Sequence, residues 1–140
     1  MRFMILIKAN DDTEAGVPPS REVVEAMGRF NEELVKAGVM LAAEGLHSSA
    51  KGARMKFSGE KRTVTDGPFT ESKELIAGFW LIEVTSREEA IEWASRIPST
   101  EGEVEIRQVF EMSDFPPDVL TPEEAAREQA LRMRTRAAKA

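Results

Sequence analysis

Gly78-Phe79-Trp80-Leu81-Ile82-Glu83-Val84-Thr85-Ser86-Arg87-Glu88-Glu89-Ala90 changes its apolar period midway, and that change decides the fold. The first half is a short run with apolar side chains at both odd and even positions, as in a strand covered on both faces. The second half opens on Ser86 with Glu89 three residues later, the capping box of a helix start. Ala90, Ala94 and Ile97 then share one helical face, and Pro98 stops the segment. Beyond it, Val104, Ile106 and Gln108 alternate with Glu105, Arg107 and Val109, which predicts another strand.

The N-terminal half repeats this order. Phe3 to Ile7 is an unbroken apolar run, followed by the polar and Gly/Pro-rich residues 8–19. Ser20 caps a helix whose Val23, Met27, Phe30 and Leu34 recur at intervals of three and four, and Gly38 ends it. Val39 to about Leu46 reads as a second strand. Residues 52–65 alternate more loosely around Gly59-Glu60 and predict an exposed hairpin, with a loop over 66–74. Strand, helix, strand, hairpin, strand, helix, strand is an α+β pattern, a ferredoxin-like βαββαβ sheet with an inserted β-hairpin. Right-handed crossovers place both helices on one face. Yet Met4 and Leu6 point opposite to Phe3, Ile5 and Ile7, and Trp80 and Ile82 opposite to Phe79 and Leu81, so both faces of the centre are apolar. Each large apolar side chain removed from water contributes roughly 1.5–3 kcal/mol, so the face without helices needs a cover. A second copy of the sheet, giving a homodimer, is the simplest.

Asp114-Phe115-Pro116-Pro117-Asp118 disfavours regular structure and marks a boundary. The expected division is a ferredoxin-like domain over 1–115 and a Pro linker with a helical extension over 116–140. Thr121-Pro122-Glu123-Glu124 starts that helix with an N-cap, a proline at the first helical position and an acidic first turn. Arg132, Arg134, Arg136 and Lys139 lie near its end, where the macrodipole favours them. Its apolar stripe of Ala126, Ala130, Met133 and Ala137 is thin.

Counting narrows the chemistry. The 140 residues are 41% apolar and 31% charged with a net charge of -6, and no apolar run approaches the ~20 residues of a membrane span. The first strand has no cleavage site behind it, so a cytoplasmic protein without membrane contact is expected. There is no cysteine, which excludes disulfides, thiol nucleophiles and thiolate metal sites, and the single histidine, His47, cannot build a His/Cys zinc site. No P-loop, dinucleotide fingerprint or nucleophile elbow is present, and no cofactor is expected. Residues 121–140 hold 5 basic and 3 acidic side chains against 14 and 22 in residues 1–120. That is a poor footprint for nucleic acid.

Val64-Thr65-Asp66-Gly67-Pro68-Phe69-Thr70-Glu71, followed by Gly78-Phe79-Trp80-Leu81-Ile82, resembles the DGPF motif of the YCII-related proteins. Ala43-Glu44-Gly45-Leu46-His47 and Val104-Glu105-Ile106-Arg107 extend the resemblance over about residues 1–112. It implies a ferredoxin-like fold of the dimeric α/β-barrel superfamily, in which two sheets pack face to face around a cleft. The YciI branch of the family carries a His in the first helix and an Asp before the proline that ends the second. Here the first helix, 20–37, has no His, and Ile97 precedes Pro98. The pair is absent, and with it the ground for transferring that branch's activity, which in relatives includes dehalogenation of muconate-like compounds.

Asp66-Gly67-Pro68 is first of all a turn, since Asp bonds its own backbone and Gly and Pro set the dihedrals. Its functional reading is a carboxylate aimed into the cleft as a general acid or base. Glu44, among apolar neighbours, is its candidate partner, or else a buried acid paired with Arg107 or Lys73. His47 is a third candidate, against a surface-loop reading before the polar and flexible Ser48-Ser49-Ala50-Lys51-Gly52. Glu71 and Lys73 would clamp a polar ligand from the loop, and Trp80 and Trp93 read as core. The expected function is a homodimer binding a small polar molecule in an inter-sheet cleft lined by Glu44, His47, Asp66 and Arg107. Two alternatives are an enzyme using Asp66 or Glu44 for proton transfer on a small organic substrate, and an interaction partner of transcription (sigma factor) machinery, as some relatives are encoded beside sigma factors.

Overall fold

Hydroxyl side chains start the long helices. Ser20 Oγ accepts from the Val23 amide at 3.2 Å, Ser86 Oγ from Glu89 at 3.1 Å and Thr121 Oγ1 from Glu124 at 3.2 Å. Each satisfies an amide that the first helical turn leaves unpaired. The return half of the Ser86 box is displaced by one residue. The Glu89 carboxylate accepts instead from the Thr85 amide at 2.8 Å and the Thr85 hydroxyl at 2.7 Å.

The computed structural model describes residues 1–71 and 74–138, which fall into two compact units, Met1–Val109 and Phe110–Ala140. In the first, β1 (Arg2–Lys8) leads through a single-turn helix α1 (Asp11–Glu14) to α2 (Arg21–Lys36) and β2 (Met40–Gly45). The hairpin strands β3 (Ala53–Ser58) and β4 (Lys61–Asp66) come next, then β5 (Ile76–Glu83), α3 (Arg87–Ser95) and β6 (Val104–Gln108). Four strands form an antiparallel sheet in the order β2-β5-β1-β6, and β3 and β4 form a separate two-stranded sheet. This is the ferredoxin-like βαββαβ topology with an inserted hairpin. The hairpin reverses at Gly59, whose φ of 61° is open to glycine without steric cost.

Alternation along β1 and β5 divides the sheet into two faces. On one, Phe3, Ile5, Trp80 and Ile82 are buried with Phe30 and Leu34 of α2 and Ala90 of α3. Trp80 meets Phe30 edge to face at 5.4 Å and donates its indole N–H to Asn31 Oδ1 at 2.8 Å, so it belongs to the core. The opposite face is organised in two rungs. Ala42, Leu81, Met4 and Arg107 lie in register across β2, β5, β1 and β6, and so do Glu44, Phe79, Leu6 and Glu105. Met4, Leu6, Phe79 and Leu81 are half-buried there.

In the second unit the Phe110 and Phe115 rings stack at 5.1 Å, and α4 (Pro122–Ala138) follows with Leu131 and Met133 exposed. Among the described residues no helix is long and apolar enough to cross a membrane.

Candidate functional site

The Asp66–Phe69 turn is seated on the loop that follows β2. Asn10 and Thr13 cap α1 reciprocally, Asn10 Oδ1 accepting from the Thr13 amide at 2.9 Å and Thr13 Oγ1 from the Asn10 amide at 2.8 Å. That short helix presents Glu14 to the loop. Glu14 Oε2 accepts from the Ser49 amide at 2.8 Å, Glu14 Oε1 accepts from the Ser49 hydroxyl, and the Glu14 carbonyl accepts from Ser48 Oγ at 2.6 Å. Ser49 Oγ in turn accepts from the Phe69 amide at 3.0 Å, and the Gly67 amide donates to the Gly52 carbonyl at 3.0 Å. The two chain segments touch so closely that a Cβ on Gly67 would stand 1.7 Å from the Ser49 carbonyl oxygen. Only glycine fits. The Arg54 guanidinium lies 3.9 Å from the centre of the Phe69 ring. The hydroxyl and amide of Ser49 favour the ionised form and hold the Glu14 carboxyl below its usual range.

Residues 48–52, expected to be flexible, are therefore ordered, with a 3₁₀ turn over Ser49–Lys51. The partner that orders them lies 35 residues away at Glu14.

The expected site residues are placed apart. Glu44 is on β2 and Arg107 on β6, the two outer strands, separated by three inter-strand spacings, or about 14 Å. The proposed Glu44–Arg107 pair cannot form within one chain. Arg107 instead donates to Glu105 at 3.0 Å, and Lys8 approaches Glu105 at 3.4 Å. These bonds, with Arg107 foremost, lower the Glu105 carboxyl from its usual range. Asp66, read from the sequence as a carboxylate aimed into a cleft, and Glu44, read as its partner or a buried acid, are both exposed, as are His47 and Glu71. Asp66 pairs in register with Ala53 at the root of the hairpin. Lys73 lies outside the described residues. Among the described residues no three His, Cys, Asp or Glu side chains gather into a metal-holding group.

A cavity of about 390 Å³ opens elsewhere, on the helix side of the sheet beyond the C-terminal end of β1. Ile7, Met27, Trp80, Ile97 and Val104 supply apolar walls, and Asn10, Thr13, Ser99, Glu101 and Glu103 supply polar ones. The sequence reading missed it because its walls come from β1, α2, α3 and the loop before β6, segments far apart along the chain. One signal was present. Ile97, the residue that stands where the YciI branch has its Asp, lines this cavity.

Residues 1–113 match the YCII-related domain. A protein of Rhizobium meliloti (strain 1021), described as uncharacterised, is 33% identical over 89 residues, which are 61% of this chain and 71% of that relative. The domain match takes in the four-stranded sheet, the hairpin and the turn seated on Ser49, and it stops short of α4. On that extent the chain belongs to the YCII-related family.

Proposed function

We propose that this protein is a homodimer that binds a small polar organic molecule, and that the molecule sits in the cavity between β1, α2 and α3. The observation that carries the binding is the cavity itself: about 390 Å³, within the ~300–1,000 Å³ of ligand pockets, with apolar walls and a few convergent polar groups. The His and Asp that the YciI branch carries have no counterpart here, since α2 has no His and Ile97 precedes Pro98. Binding without proton transfer by that pair is the reading these residues support. The dimer is supported by the face bearing Met4, Leu6, Phe79 and Leu81, which neither α2 nor α3 covers. A cleft lined by Glu44, His47, Asp66 and Arg107 needs two copies, because Glu44 and Arg107 occupy opposite edges of one sheet.

A thermal-shift screen of small metabolites tests the reading. A ligand at a hundred times its Kd adds roughly 2.7 kcal/mol of stability, and Ala94→Phe, which fills the cavity from α3, is expected to abolish that shift while keeping the circular dichroism spectrum. An equal shift in the folded variant, or no shift with any compound, would place binding elsewhere or remove it.

A further inference from the structure

We propose that the cavity between β1, α2 and α3 takes an organic cation, a protonated amine carried on an apolar body; the inference rests on the binding reading above and names the ligand class of that same site. The body follows from the walls. Ile7, Met27, Trp80, Ile97 and Val104 line about 390 Å³, room for a ring or a short alkyl chain that leaves water on entering.

The charge follows from which groups of the lining are already spent. Lys8, the cation among them, is engaged with Glu105, its Nζ 3.4 Å from Oε1. The hydroxyls of Thr13 and Ser99 donate to the carbonyls of Asn10 and Glu101 at 3.0 and 2.7 Å, and the Trp80 indole N–H is bonded to Asn31. What is left is acid. Among the described residues Glu101 and Glu103 form no ion pair. Arg87 lines a neighbouring groove with Glu103 and makes none there. Asn10, Glu101 and Gly102 join the cavity to a second depression lined also by Asp11 and Asp12, whose carboxylates are likewise unpaired among the described residues. The charged groups without a partner are thus all carboxylates, set on α1 and the loop before β6, while the apolar walls belong mainly to the sheet and α2. An amphiphilic molecule meets a side suited to each of its ends. An anion here meets like charge, and only a cation gains Coulomb energy on entering. A metal ion would leave the apolar walls in water, and among the described residues these acids do not gather into a metal-holding group.

Isothermal titration calorimetry of the full chain with three probes of similar shape decides it: phenethylamine, protonated at pH 7, the neutral phenethyl alcohol, and the anion phenylacetate. The amine is expected to bind at least tenfold more tightly than the alcohol and the anion more weakly than either, with an amine Kd that rises with salt. Glu101→Gln/Glu103→Gln, on an exposed loop, is expected to remove most of the preference for the amine with an unchanged circular dichroism spectrum. Equal binding of amine and alcohol, or tighter binding of phenylacetate, overturns the cation and leaves the cavity standing as a binding site. A full amine preference retained in the double variant also overturns it. Heat from none of the three probes overturns the cation, and the cavity falls with it only if the metabolite screen is empty as well. Should the double variant not fold, salt decides: an amine Kd indifferent to salt overturns the proposal, and one that rises while the alcohol's stays level supports it.

Discussion

The two faces of the four-stranded sheet are made by the same strands and are both apolar at the centre, yet they are finished differently. Toward the helices, Phe3, Ile5, Trp80 and Ile82 are at most 4% exposed. On the other face Met4, Leu6, Phe79 and Leu81 remain half-buried, and the outer strands carry Glu44, Glu105 and Arg107 in the same rungs. The first arrangement is a core closed within one chain. The second is an apolar patch with a charged border.

The largest expected effect separates these roles directly. Trp80→Glu puts an unpaired carboxylate into the core and removes the bond to Asn31, a change that costs several kcal/mol; loss of the native circular dichroism signal is expected. Leu6→Glu lies one rung away on the open face. On the homodimer proposed above, it is expected to leave secondary structure intact and to halve the mass measured by light scattering. If both variants unfold alike, or both stay dimeric, the distinction between the faces fails.

Gly67→Ala acts on the hairpin and spares the sheet. A methyl group 1.7 Å from the Ser49 carbonyl cannot be accommodated without parting the two segments, at a cost of roughly 2–3 kcal/mol. Limited proteolysis is expected to begin within 48–71 while the strands of the sheet stay protected.

Acidity gives a weaker effect of defined sign. Glu14, Glu89 and Glu105 all sit below the ordinary value of 4.5, through Ser49, Thr85 and Arg107 respectively. A carboxyl lowered in the folded state contributes stability that is complete above its unfolded value and drains away as pH falls through the lowered one. Urea midpoints are therefore expected to fall below about pH 4.5 and to be level above it for these groups. Glu14→Gln narrows the gap between pH 7 and pH 3. A fall that begins near neutrality would assign acid sensitivity to other groups. The smallest effect on the sheet is expected from a chain ending at Phe115, which keeps every strand from Arg2 to Gln108; loss of strand signal on this truncation would make the helical extension part of the fold.

What was legible in the sequence is what is local. Ser20, Ser86 and Thr121 act within three residues of themselves, and Gly59-Glu60 turns a hairpin between adjacent strands, so caps and turn could be read from spacing. The alternation of Met4 and Leu6 against Phe3 and Ile5 was equally plain, but both sets are apolar, and nothing in the pattern tells which one the helices cover. The single turn Asp11–Glu14 is too short to display a period. Its consequence, the bonds from Ser48 and Ser49 to Glu14, joins segments that no local rule connects. The candidate carboxylates illustrate the same limit. Glu44 and Arg107 are compatible in charge, and only the strand order puts two strands between them.

The position of Trp80 gives the molecule an optical signal of its own. The chain has no tyrosine and two tryptophans, so its ultraviolet emission arises from Trp80 and Trp93 alone. Trp93 carries the Arg96 guanidinium 4.6 Å from its ring centre near the surface of α3. Trp80 is buried, edge-on to Phe30, and forms part of the cavity wall. A molecule entering that cavity alters the surroundings of one indole and leaves the other as an internal standard, so the wavelength of emission reads occupancy without any added dye.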